Sequence, residues 1–466
     1  MTPSISRRRF LGQLNCAAIS SVPILSTLLN LKMAGSVAAA SNPGTDYRAL
    51  VCLFLSGGID TFNVVVPRGD AEYAEYKGVR KGIALPQSSL LPIAPTGLTG
   101  LQLGLHPGLA GVQTMFNAGS VACVSNVGTL IQPVSKDDYD NSLKPLPLGL
   151  YSHSDQVEQW HTSTPNIRSP KGWGGRMGDL LKSLNSLDTV SMNISLTGSN
   201  IWQSGESVFE YTVSTDGAIS LDGYDPTNTD ASSTIPIRTK AVDSQLGFTY
   251  QHLLTEAFAS KKRGAMDAYA LFNSATNVTL PPSVTFPESD LAQQLKMVAR
   301  SIAGHTALGH SRQTFFIEYG GWDHHDGLIA QQATMLPEVD AAVKAFFDCL
   351  TAMGMQNNVT LFTASDFART LTTDSDGADH AWGGNHLVMG GAVRGNRIYG
   401  TYPSLHLDSD LDVGRGRLIP QVAVDQYFAE LALWLGVPKG SLAEVLPNIG
   451  AFYNVQGGAA PLGFLV

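Results

Sequence analysis

The sequence predicts an α/β fold with a doubly wound, mostly parallel sheet. Three features point to it. Short, continuously apolar runs stop at glycines, helical patterns separate these runs, and polar residues gather just beyond their ends.

The first run, residues 47–60 (YRALVCLFLSGGID), reads as a buried strand closed by a Gly-Gly turn. Residues 120–128 (SVACVSNVG) and 190–198 (VSMNISLTG) read as two more. Residues 313–321 (QTFFIEYGG), 358–366 (NVTLFTASD) and 386–391 (HLVMGG) complete the set. Helical patterns cover residues 291–308, 336–354 and 419–436. Residues 204–240 are rich in Ser, Thr, Gly and Asp and show little periodicity, which reads as a loop-rich insertion. The expected layout is one α/β domain over residues 41–466.

The first forty residues differ from the rest. SRRRFLG, a weakly apolar stretch and SVAAAS follow one another in the order of a cleaved twin-arginine export signal. Cleavage is expected after Ala40. Pro23, Asn15 and several serines make this stretch a poor bilayer helix. It holds four basic residues and no acid, so the remainder carries 26 basic against 39 acidic residues, a net charge of −13. Such a balance argues against a nucleic-acid partner. No later segment is long and apolar enough to suggest a membrane span. Cys52, Cys123 and Cys349 sit in apolar runs and read as buried free thiols. The expected location is the periplasm or the exterior, with the twin-arginine export machinery as a partner.

Open α/β sheets bind ligands beyond the carboxyl ends of their strands. Asp60 follows the first Gly-Gly turn, as a close-approach carboxylate or as a helix cap. Asp323 and His325 lie two apart, a spacing that puts both on one face of an extended segment. Carboxylate with imidazole suits zinc or manganese better than calcium. Asp366 ends the fifth run, and Arg369, expected in the first turn of a helix, offers an anion-binding fork or an ion pair. His380 and His386 lie in a loop leading to the sixth run. His153 sits with Ser152 where a helix opens, a position for capping or for an activated hydroxyl.

Taken together, SRRRFLG, LVCLFLSGGIDTFNVVVP, SHSDQ, GWGGR, GGWDHHD, TASDFARTL and DHAWGGNHLVMGG resemble the exported bacterial family named domain of unknown function 1501. That family is similar in turn to the alkaline phosphatase and sulfatase superfamily. The resemblance implies an alkaline phosphatase/sulfatase-like fold and one or two divalent ions, zinc or manganese. It implies metal ligands at Asp60, Asp323, His325, Asp366 and His380, with His153 or His386 completing the set. Phe367 stands where many superfamily enzymes have a second histidine. STPNIR (Ser163–Arg168) is one residue too long for the sulfatase C/S-x-P-x-R motif. The nucleophile is expected to be Ser152, Thr61 or a metal-activated water, helped by Arg369. The resulting expectation is a hydrolase of small-molecule or polymeric phosphate or sulfate esters. The alternative is a non-catalytic binding or assembly protein on the same fold.

Overall fold

The computed structural model describes residues 47–373 and 375–466. The expected export signal and its cleavage point lie outside the described residues. In chain order the strands are β1 (Arg48–Phe54), β2 (Val65–Pro67), β3 (Leu91–Ile93), β4 (Leu103–Leu105), β5 (Val121–Gly128), β6 (Asn193–Ser195) and β7 (Tyr211–Ser214). They continue with β8 (Gly217–Ala218), β9 (Arg312–Glu318), β10 (Val359–Ala364), β11 (Gly384–Met389), β12 (Arg397–Tyr399) and β13 (Val422–Ala423).

Strands β2, β4 and β3 form a small sheet. The other ten form one large sheet in the order β12-β5-β11-β10-β1-β9-β6-β7-β8, with β13 also paired to β5. Strands β10, β1, β9, β6 and β7 run parallel. Strand β11 runs antiparallel to both β10 and β5. The sheet is therefore mostly parallel, as expected, with one reversed strand in its interior.

Strand β1 explains why the sequence shows continuous rather than alternating apolar runs. Ala49, Val51 and Leu53 pack into one core layer with residues such as Leu295, Ile302, Val343 and Phe346. These come from the helices Asp290–Ala303 and Leu328–Ala352. Leu50, Cys52 and Phe54 point the other way, into a layer with Trp173, Phe428 and Leu431. That layer is built on the helices Trp173–Leu181 and Val424–Leu435. A strand covered on both faces needs apolar residues at every position. Burying each large side chain contributes roughly 1.5–3 kcal/mol. Cys52, Cys123 and Cys349 are buried and unpaired, and burial pushes the Cys123 thiol up to about 12. Among the described residues no helix is long and apolar enough to cross a membrane.

Several expectations need correction. The 336–354 pattern belongs to a longer helix that runs from Leu328 through Pro337. The 291–308 pattern stops at Ala303, before Gly304. The 419–436 pattern opens with β13 before its helix begins at Val424. Residues 204–240 are not all loop: β7 and β8 extend the large sheet, and a helix starts at Ile235. Arg369 is not in a helix; it forms an isolated antiparallel bridge with His380.

Asp425 lies fully buried in the first turn of the Val424–Leu435 helix. Burial pushes its carboxyl up to about 7, against the opposing effects of Ser163 and Arg176. Since the folded-state value is raised, ionisation of the unfolded chain drains stability as pH rises from about 4 to about 7. Asp425→Asn should raise the melting temperature at pH 8, by up to about 4 kcal/mol in stability. The gain should vanish near pH 4 in a thermal unfolding series; an equal effect at both pH values would refute this account.

Candidate metal centre

The parallel neighbours β10, β1 and β9 bring three chain ends to one edge of the sheet. Because β11 is reversed, the segment entering it arrives at that same edge. Asp323 and His325 follow β9, Asp366 and Arg369 follow β10, and Asp379 and His380 precede β11. His153 opens the helix His153–Thr162 above them. The Gly57-Gly58 turn after β1 forms the floor. Gly57 has φ +113°, and a Cβ there would lie 2.7 Å from the Asp323 nitrogen. Gly58 has φ +76°, and its Cβ would strike the Phe367 ring. Only glycine fits at these two positions.

Three side chains, His153, Asp323 and His380, converge at ligand spacing, and His325 lies beside the last two. His380 Nε2 lies 3.1 Å from His153 Nε2 and 3.0 Å from His325 Nε2. Asp323 Oδ1 lies 3.4 Å from His153 Nε2, 3.0 Å from His325 Nε2 and 3.4 Å from His380 Nε2. Proton positions follow from the partners on the far sides of two rings. His380 Nδ1 is 2.8 Å from the Tyr151 carbonyl oxygen, which can only accept, so Nδ1 carries the proton. His153 Nδ1 is 2.7 Å from Asp366 Oδ2, while Asp366 Oδ1 accepts from the Gly57 nitrogen at 2.9 Å. When His153 is neutral, it and His380 turn lone pairs toward each other and toward a carboxylate oxygen. In that state the two nitrogens and the oxygen form an acceptor set that a cation could satisfy.

The electrostatics act in opposite directions on the two rings. The hydrogen bond to Asp366 raises the His153 pKa, whereas burial lowers that of His380. Burial works to raise Asp323, but Arg369 and the nearby histidines outweigh it and hold the carboxyl below its usual range. The Asp323 and His325 side chains are about half exposed, so the cluster opens to solvent on one side. Arg369 is fully buried. It donates to the carbonyls of Gly57 (2.5 Å), Gly58 (2.7 Å) and Ala378 (3.0 Å), and to Asp323 Oδ1 (2.5 Å). Its guanidinium holds the turn and one ligand in place. Phe367 packs against His153 and His380, with ring centroids 4.7 and 4.6 Å away. The aromatic ring stands where the resemblance implied a histidine, and it serves as a wall for two others.

The other expected site residues have different roles. Asp366 supports His153 from behind rather than joining the convergent atoms. Asp60 is fully buried and paired with the equally buried Arg80 guanidinium, and its carboxylate also accepts from the Phe62 nitrogen. Thr61 is buried, and its hydroxyl accepts from the Asn385 nitrogen at 2.9 Å. Ser152 precedes the His153 helix, with its hydroxyl 3.3 Å from that of Ser154. His386 lies inside β11 rather than in the loop, buried against Trp160, and burial lowers its pKa to about 3. Arg80, Phe367, the Tyr151 carbonyl and Asp379 were not anticipated as parts of the site. The SDF triplet offered a signal for Phe367; a main-chain carbonyl leaves none.

A second grouping, His325, Asp379 and His380, also has ligand spacing. Its Asp379 Oδ2, however, already accepts from Arg415 at 2.8 Å and Arg417 at 3.3 Å. Two guanidinium charges repel an added cation there. The geometry favours one ion over two.

Residues 236–414 match the model of a family described as a protein of unknown function, DUF1501, which bears out the resemblance over that stretch. No curated protein matches the chain. Among solved structures the chain is similar to Ps i-CgsB in complex with k-i-k-neocarrahexaose, at 10% identity. That alignment covers 84% of this chain and 72% of the other, with a TM-score of 0.34. It is similar to the PsFucS1 sulfatase from Pseudoalteromonas sp., at 10% identity over 87% and 71% of the chains, with a TM-score of 0.32. It is also similar to the lipoteichoic acid synthase LtaP from Listeria monocytogenes, at 8% identity over 82% and 77%, with a TM-score of 0.28. At these scores the likeness is loose, and the chemistry of the site stands on its own geometry.

Asp366→Asn removes the carboxylate that fixes the His153 ring while keeping its size. Zinc affinity should fall about 10–100-fold with the circular dichroism spectrum unchanged. Unaltered affinity would show that Asp366 does not orient a ligand.

Proposed function

We propose that the protein is an exported metal-dependent hydrolase of phosphate or sulfate esters, acting on a small molecule or a polymer. The observation that supports this most is the convergence of His153, His380 and Asp323 at the strand ends, their ligand atoms 3.1–3.4 Å apart, with His325 Nε2 3.0 Å from both His380 and Asp323. Bonds of about 2.0–2.1 Å to one ion place neighbouring ligand atoms at about that separation. Imidazoles with one carboxylate suit zinc or manganese. Such an ion supplies Lewis acidity to an ester oxygen and to water.

The chain's own residues prepare the site. Asp366 and the Tyr151 carbonyl fix two imidazoles in the tautomer that presents Nε2. Arg369 holds Asp323 as the anion, and the half-exposed side of the cluster admits substrate. Export to the periplasm or beyond is the reading that the SRRRFLG segment and its SVAAAS sequel support.

One observation favours the non-catalytic reading. Neither expected hydroxyl nucleophile has a hydrogen bond to the convergent atoms: Thr61 is buried and engaged with Asn385, and Ser152 pairs with Ser154. On that reading the ion holds the binding surface together and no turnover occurs.

Zinc- or manganese-loaded protein should hydrolyse members of a panel of aryl phosphates and aryl sulfates, with turnover lost in Asp323→Ala. A loaded wild type no faster than Asp323→Ala on every ester would leave the binding-protein reading standing.

A further inference from the structure

The helix Leu253–Thr276 has 24 residues and spans about 36 Å, more than the domain covers. Leu254, Phe258, Ala265, Ala268 and Phe272 fall on one face at helical spacing, with Lys261 interrupting them. Toward the C-terminal end that face belongs to the core. Ala268 and Phe272 are buried, and the Phe272 ring lies 5.6 Å from that of Tyr211. Toward the N-terminal end the same face is uncovered. Leu254 is 74% exposed and Phe258 69%, and Leu253 beside them is 80% exposed. The neighbouring helix, Ile235–Leu246, packs on the side turned away, where Ala259 is buried and Arg263 donates to Asp243 at 3.0 Å.

Two further observations bear on what covers this face. The segment joining the two helices is fastened to the first turn: Glu256 accepts from the Tyr250 nitrogen at 2.8 Å, and the Phe248 ring meets that of Tyr250 edge-on at 5.1 Å. The exposed side chains therefore stand on a built hairpin. Gly264 lies on the same open stretch. Glycine in an exposed helix interior is less favourable than alanine. Apart from its own stretch of helix, no atom of the described residues lies within 4 Å of the place a Cβ would take. Nothing within the chain uses the space that this glycine leaves.

We infer that this face receives a second copy of the same helix, antiparallel about a two-fold axis between residues 259 and 260. That pairing sets Leu254 of one copy against Ala265 of the other, beside Gly264. It also sets Phe258 against Lys261, whose methylene stem packs on the ring while its ammonium reaches water. Large meets small and aromatic meets lysine, and each contact occurs twice. An isologous interface requires this self-complementarity. Covering roughly 100 Å² on each exposed Leu and Phe side chain and on their neighbours in both copies removes about 1,000 Å² from water, the size at which specific interfaces begin.

The test is sedimentation velocity of the full protein over a concentration series reaching about 100 μM, a range in which an interface of this size is populated. The wild type should show a reversible monomer–dimer equilibrium. Leu254→Asp and Phe258→Asp should each raise its dissociation constant about tenfold or more. Circular dichroism and melting temperature of the monomer should stay at wild-type values, because both side chains already face solvent. Leu143→Asp, at an exposed leucine elsewhere, should leave the equilibrium unaltered. Lys261→Cys, close to the axis, should cross-link two copies under mild oxidation, whereas Lys240→Cys on the neighbouring helix should not. A wild type that is monomeric throughout the series would overturn the inference. So would a dimer that survives both aspartates, or a Lys261→Cys variant that fails to cross-link. Binding of a monomeric wild type to phosphatidylglycerol vesicles, lost in Phe258→Asp, would also overturn it and would assign the face to a lipid surface.

Discussion

A neutral histidine whose Nδ1 proton is donated to a fixed acceptor shows a lone pair on its other nitrogen. That constraint applies twice at the edge of this sheet. The Tyr151 carbonyl fixes His380, and the Asp366 carboxylate fixes His153. Asp323 adds an anionic oxygen to the same small space, and Arg369 keeps it ionised. Groups that would repel one another are held together by a rigid frame, an arrangement that a bound cation stabilises.

The frame depends on topology more than on any one residue. Parallel β10, β1 and β9 deliver three chain ends side by side, and the reversal of β11 adds a fourth segment without a crossover. The Gly57-Gly58 turn lets the chain after β9 lie against it closely enough for Arg369 to reach two of its carbonyls and Asp323 together. Arg80 and Arg369 add fixed positive charge nearby. Arg80 neutralises Asp60, the carboxylate that the resemblance assigned to a metal. A buried pair of this kind is costly to break, because either partner alone leaves an uncompensated charge.

Much of this was legible in the sequence. Continuous apolar runs ending in glycine revealed the strands, and the two-residue spacing of Asp323 and His325 set both on one face. Other features left no local mark. An apolar run reads the same in either direction, so the reversal of β11 was hidden, and with it the placement of His386 inside the strand rather than in a loop. The Asp60–Arg80 pair depends on how a helix packs twenty residues later. The helix Leu253–Thr276 is largely exposed along its first half and lacks a clear apolar stripe. Phe367 was visible as a departure from a motif, but its use as a wall for His153 and His380 emerges only in three dimensions.

The central claim is that these side chains form a site for one divalent ion. Calorimetric titration of metal-stripped protein with zinc, repeated with manganese, tests it most directly. The account predicts one saturable site per chain for at least one of the two metals, abolished by Asp323→Ala. Two equivalent sites, or no saturable binding of either ion, would contradict it.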